Sequence, residues 1–393
     1  MKNSIIILVV FIAMAFTSHA QWHKTDYPTG GHIYCLTSDG TNIFAGSSSG
    51  VFISTYNETS WIAVNNGLTN INVSAIATSE VNIYAGTRGG GVFLSTNNGT
   101  DWTAVNNGLT NTDVYSLAIS GANIYAGTAD GVFLSTNNGT SWNAVNNGLT
   151  NTSVGSLAIC GTKIFAGTLS GVFLSTNNGS SWNAVNNGLT NTFVSSIATN
   201  GTNIFVGTYE YGGVYLSTDD GSSWNAKDNG LNTAVYSLAI SGTMIFAGTE
   251  GKGVFLSTNN GSSWNAANDG MTDIPVSSLT IYGTNIFAGT SFGEIWMRPL
   301  SEITGISEIK NDNYNFSIYP NPTSQFFTID MNKSCNEHLT LNIYDFTGKL
   351  IISQAIKKNK QLFDIWSWNL CDGIYIVELN SKNWSKRNKL IIK

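Results

Sequence analysis

The stretch VYSLAISGANIYAGTADGVFLSTNNGTSWNAV, residues 114–145, decides how this chain folds. It contains four short runs: Val114 to Ile119, Asn123 to Gly127, Val132 to Ser135 and Trp142 to Val145. Each is apolar or alternating, rich in β-branched or aromatic residues, and bounded by Gly, Asn or Ser, as strands joined by tight turns are. The second run recurs, as Asn-Ile-Phe-Ala-Gly or a close variant, from Asn42, Asn82, Asn123, Lys163, Asn203, Met244 and Asn285. The turn before the fourth run recurs as Ser-Thr-Asn-Asn-Gly-x-x-Trp, ending at Trp102, Trp142, Trp182 and Trp264, with variants ending at Trp61 and Trp224.

Four strands in about 40 residues, repeated around the chain, describe the blade of a β-propeller. The seventh unit reaches Glu294 to Met297 and then lacks its Trp-led outer strand. That strand stands at the other end of the chain, where Trp22 precedes Ile33 by the same 11 residues that separate Trp224 from Val235. An open solenoid would instead need a polar cap at each end. The sequence therefore predicts an all-β protein: a seven-bladed β-propeller over residues 21–300, closed by the N-terminal strand, then a linker over 301–315 and a small β-sandwich over 316–393. Residues 1–20 read as a signal peptide, with Lys2, an apolar run from Ile5 to Phe16 and a Ser18-His19-Ala20 cleavage signal, so export is expected.

Composition narrows the function. Only 11% of the 393 residues are charged, 42% are hydrophobic and the net charge is −6, which excludes a disordered or nucleic-acid-binding chain. Residues 21–300 carry 6 basic and 15 acidic side chains and residues 301–393 carry 11 and 9, a shift that marks a boundary near residue 300. After the signal peptide no apolar run reaches the length of a membrane-spanning helix. No cofactor motif or metal-ligand cluster is visible, and His23 and His32 are the propeller's only histidines. Cys35 and Cys160 fall on inner strands of distant blades and read as small core residues. Cys335 and Cys371 share the C-terminal region, where a disulfide and two free thiols both stay open.

The Ser-x-Asn/Asp-x-Gly-x-x-Trp phrase resembles the Asp-box of sialidases, sortilin-like receptors and related propellers. It is well formed at Asn97, Gly99 and Trp102; at Asn137, Gly139 and Trp142; at Asn177, Gly179 and Trp182; at Asp219, Gly221 and Trp224; and at Asn259, Gly261 and Trp264. Glu58 degrades the copy that ends at Trp61. As a physical device it is a hairpin: the Asn or Asp side chain bonds nearby N–H groups, the Gly takes a positive φ and the Trp packs back over the turn. The sialidase mechanism itself needs an arginine cluster, whereas this propeller has only Arg88 and Arg298.

Tyr319-Pro320-Asn321-Pro322, Asp345-Phe346-Thr347-Gly348-Lys349, Gly373-Ile374-Tyr375-Ile376-Val377 and the terminal Lys389-Leu390-Ile391-Ile392-Lys393 resemble, in order, the C-terminal sorting domain of the type IX (Por) secretion system. Trp366-Ser367-Trp368-Asn369-Leu370-Cys371 departs from the plainer approach usual in that family. The resemblance implies that type IX secretion machinery is a partner, and that the protein is released or attached to the outer-membrane surface of a Gram-negative bacterium.

Selectivity is expected where blades differ, in the loops between the second and third strands. The candidate ligand-binding residues are Arg88, Tyr209, Glu210, Tyr211, Lys252 and Phe292. Tyr209 to Tyr211 occupy the longest such loop, between Gly207 and Val214, and two aromatics flanking a carboxylate suit a sugar face and its hydroxyls. The leading expectation is a non-enzymatic binding protein with a glycan or a surface protein as ligand. A secreted glycoside hydrolase or lyase is a rival, for which Asp113, Asp130, Glu210 and Glu250 would supply carboxylates. A structural or adhesive module without a pocket is a third reading.

Overall fold

The computed structural model describes residues 21–27, 31–55, 60–79, 82–209, 212–271, 273–303, 316–331, 339–345, 350–356, 360–365, 368, 370, 373–381 and 385–392. The signal-peptide segment, Cys335 and Cys371 lie outside them. The chain folds as two compact units that divide at Arg298.

The first unit contains seven four-stranded antiparallel sheets among the described residues. Six are contiguous in sequence, as in Val114–Ser120, Asn123–Thr128, Gly131–Ser135 and Asn143–Ala144. The seventh takes Val276–Tyr282, Asn285–Thr290 and Ile295–Pro299 from one end of the chain and His23–Lys24 from the other. His23 pairs with Met297 and Lys24 with Trp296. The first and last inner strands also meet directly, because Ser278 Oγ accepts from the Leu36 N–H at 2.8 Å and Ser277 Oγ donates to the Ile33 carbonyl at 2.5 Å. The chain thus forms a closed propeller, and no blade is left with the unpaired inner edge of an open array.

Sequence pattern explains the layering. In the second strand of each blade the run Ile-Phe-Ala-Gly-Thr is buried on both faces, as in Ile164, Phe165, Ala166 and Thr168, since a neighbouring blade covers each side. Each interface between blades therefore has its own apolar cluster, such as Tyr84, Val92, Val114, Ile124, Phe133 and Trp142. Cys35 and Cys160 are free thiols packed against two of these clusters. Burial pushes the Cys35 thiol up to about 12.

The recurrent turn is built as its sequence suggests. Ser95 Oγ accepts from Gly99 N at 2.9 Å, Asn97 Oδ1 accepts from Asp101 N at 2.9 Å, and Asn98 and Gly99 adopt φ of 56° and 82°. The tryptophan does more than cover its own turn. Trp102, Trp142, Trp182, Trp224 and Trp264 each donate the indole N–H to a carbonyl of the preceding blade, at Val64, Val105, Val145, Val185 and Lys227, over 2.6 to 2.7 Å. Trp22 makes the same bond to Ala267 at 2.6 Å. Each tryptophan is thus a tie between blades, and Trp22 is the tie that closes the ring. The fit is close: a Cβ at Gly108, where φ is 83°, would overlap the Trp142 carbonyl oxygen.

The expected linker opens with one helical turn, Leu300–Ile303, and residues 304–315 lie outside the described set. The second unit pairs a three-stranded sheet with a four-stranded one. Phe316, Phe327, Ile329, Leu341, Ile343, Val377, Leu379 and Leu390 form its core, as a β-sandwich requires. Lys360–Asp364 is a strand that the sequence reading missed, because only Phe363 of its five residues is buried. No helix among the described residues is long and apolar enough to cross a membrane.

Candidate functional site

Each inner strand begins with a buried residue, Ile33, Val73, Val114, Val154, Val194, Val235 or Val276, that packs between blades. In six of these strands the next residue is the extra, unpaired residue of a β-bulge, which breaks the regular alternation. At Ser74, Ser195 and Ser277 this residue is a hydroxyl that donates to the neighbouring inner strand, at Val114, Val235 and Ile33. In the first, third and sixth blades the position holds Tyr34, Tyr115 and Tyr236, each half-buried. These side chains meet residues that precede the third strand of another blade: Tyr34 and Tyr115 meet Arg88, and Tyr236 meets Tyr209.

Arg88 joins two of them. Its guanidinium lies over the Tyr34 ring at 4.9 Å and the Tyr115 ring at 5.5 Å, so one cation is clasped by aromatic faces from the blades on either side. Its backbone is fixed as well: Arg88 N donates to the Asn72 carbonyl, and the Arg88 carbonyl accepts from Asn70 Nδ2, both at 2.9 Å. His32 stacks on Tyr34 with centroids 4.5 Å apart. Burial, reinforced by the charge of Arg88, lowers the His32 pKa below its ordinary 6.5.

Tyr209 enters from the fifth blade. Its N–H donates to the Phe193 carbonyl at 2.9 Å, its carbonyl accepts from Asn191 Nδ2 at 2.7 Å, and its ring packs at 5.3 Å against Tyr236. Burial raises the Tyr209 phenol, and the Arg88 charge opposes the shift. Tyr236 is pushed up to about 12 by burial, by a hydrogen bond to the Glu250 carboxylate and by that carboxylate's charge.

Of the residues expected at the site, Arg88 is set between Tyr34 and Tyr115, and Tyr209 is set against Tyr236. Lys252 Nζ is tied to the Asn232 carbonyl at 2.9 Å, and Phe292 is 68% exposed. Glu210 and Tyr211 lie outside the described residues. Tyr34, Tyr115 and Tyr236 were not foreseen. Their signal is the alternation of Tyr, Ser and Gly after an otherwise constant Val or Ile.

Residues 317–393 match the family described as the secretion system C-terminal sorting domain. That domain directs export by the type IX route and places the protein outside the cell, secreted or at the outer-membrane surface, in a bacterium of the Bacteroidetes type. Propellers of known structure share the fold. PorZ, an essential bacterial surface component of the type IX secretion system of Porphyromonas gingivalis, aligns with a TM-score of 0.58 and 15% identity over 93% of this chain and 60% of its own. The extracellular domain of BT4673 from B. thetaiotaomicron gives 0.61 and 17% over 94% of this chain, which spans about half of that protein, at 52%. The WD40 propeller of Doa1 gives 0.57 and 12%, covering 71% of this chain and 96% of its own. At these identities the likeness speaks for the fold alone. No curated protein sequence matches the chain.

Proposed function

We propose that the protein is a non-enzymatic binding protein of the bacterial exterior, with a propeller of Asp-box repeats that presents a ligand site at one opening of its ring. The observation that carries this reading is the clasp of Arg88 between Tyr34 and Tyr115, with the Tyr209 and Tyr236 pair, whose Tyr209 phenol feels the Arg88 charge. Aromatic faces beside a fixed cation suit a polyhydroxylated or polar ligand better than an apolar one. A glycan fits this chemistry, and a protein surface rich in carboxylates is the other ligand class.

The test is a glycan array on the purified mature chain, run beside polysaccharide hydrolysis assays. Binding without turnover that is lost in Tyr115→Ala supports the reading. Release of reducing ends would replace it with a hydrolase, and new unsaturated ends with a lyase. Absence of any glycan or protein ligand would leave a purely structural module.

A further inference from the structure

The six basic residues of the propeller are not used alike. Lys24 pairs with Glu294, Lys163 with Asp220 and Arg298 with Asp269, while Lys252 donates to a backbone carbonyl. Arg88 stands apart. It is exposed, it sits in a unit with 15 acidic side chains against 6 basic ones, and it meets no carboxylate among the described residues. Even Asp113, whose backbone forms a bridge with that of Arg88, makes no ion pair with it. Two tyrosine rings lie against the guanidinium instead, and no carboxylate among the described residues takes up its N–H fork.

A planar fork of donors is matched best by a planar, bidentate acceptor, which is a carboxylate. Tyr209, exposed over 40% of its surface and backed by Tyr236, offers a face for a ring with an apolar side, and its phenol feels the Arg88 charge. Resting on the reading of this opening as a ligand site, we infer that it takes a carboxylated saccharide: a uronate whose carboxylate receives the Arg88 fork and whose pyranose face lies on Tyr209.

The experiment uses the mature chain and defined fragments of homogalacturonan, alginate and hyaluronan, each paired with its carboxyl-reduced counterpart, measured by calorimetry. At least one uronate series should bind, and carboxyl reduction should weaken it by about tenfold or more, the loss expected for a charge-assisted hydrogen bond. Arg88→Gln should remove that difference between acid and reduced forms without changing the melting temperature. Arg88→Lys, which keeps the charge but not the fork, should recover only part of it. Equal affinity for the acid and reduced forms, or an Arg88→Gln variant that binds the acid as wild type does, overturns the inference. So does a preference for neutral or sulfated oligosaccharides or for an acidic peptide, although binding of that kind would keep the proposed function. Failure to bind any glycan or protein would remove both.

Discussion

Replacing Trp22 tests ring closure more sharply than any truncation, because the structure supplies an internal control. Trp22 is 2% exposed; its indole N–H donates to the Ala267 carbonyl, and its backbone N–H donates to the Asp269 carbonyl at 2.7 Å. Trp22→Ala removes a large buried ring, a change that costs about 3–5 kcal/mol in well-packed sites. The Ala267 carbonyl does not become an orphan, since Arg298 Nη1 also donates to it at 3.2 Å. Trp22→Phe, which keeps most of the ring and loses only the N–H, should therefore cost about 1 kcal/mol. Trp264→Ala is the matched control, making the same tie one blade earlier to the Lys227 carbonyl. It should cost as much as Trp22→Ala or somewhat more. Against a total stability of about 5–15 kcal/mol these are large fractions, and urea midpoints followed by circular dichroism would resolve them. If Trp22→Ala unfolds at the wild-type midpoint while Trp264→Ala does not, the N-terminal strand is a passenger and the closure argument is wrong.

Three further outcomes are expected. Gly108→Ala and Gly121→Ala both place a Cβ on a positive-φ backbone, which costs about 1–2 kcal/mol, but only at Gly108 would that Cβ strike the Trp142 carbonyl. Denaturation should show Gly108→Ala as clearly the worse, and equal losses would contradict the blade contact. Deleting residues 317–393 should leave the propeller folded yet trapped inside the outer membrane, and immunoblots that find it in the medium at wild-type levels would refute the sorting role. The His32 pKa lies below its unfolded value of 6.5, so the unfolded chain binds more protons and stability falls as pH drops through the folded value. Arg88→Gln removes one of the two effects that depress it, so NMR titration should show the His32 pKa rise, and an unchanged value would place Arg88 too far away to act.

The fold was legible because the same local conflicts recur in every blade. A Gly that must take a positive φ, an Asn that must bond its own turn and a doubly buried Ile-Phe-Ala-Gly run leave few alternatives, and each copy repeats the message. What the repeat did not reveal was the direction of each contact. Trp102 reads as local to its hairpin, because nothing in the eight-residue phrase says that Val64, 38 residues earlier, offers the carbonyl it needs. Lys360–Asp364 was lost for the opposite reason, since a strand with one buried residue has almost no pattern to read.

The candidate site was only half legible, and the cause lies in the architecture of the ring. Variation in the second-to-third loops is visible by aligning the repeats, and it pointed to Arg88 and Tyr209. Tyr34, Tyr115 and Tyr236 vary just as much, but they stand one residue inside strands whose other positions are nearly constant, where tyrosine passes for ordinary strand composition. Their importance depends on neighbours from other blades: Tyr34 and Tyr115 meet Arg88, and Tyr236 meets Tyr209. Arg88 then acquires from Tyr34 and Tyr115 aromatic contacts that its own loop does not encode. In a closed ring of near-identical blades, specificity is therefore written by the few positions where the copies disagree and the ring makes them neighbours, and a search for the ligand should begin with those residues together rather than with any one loop.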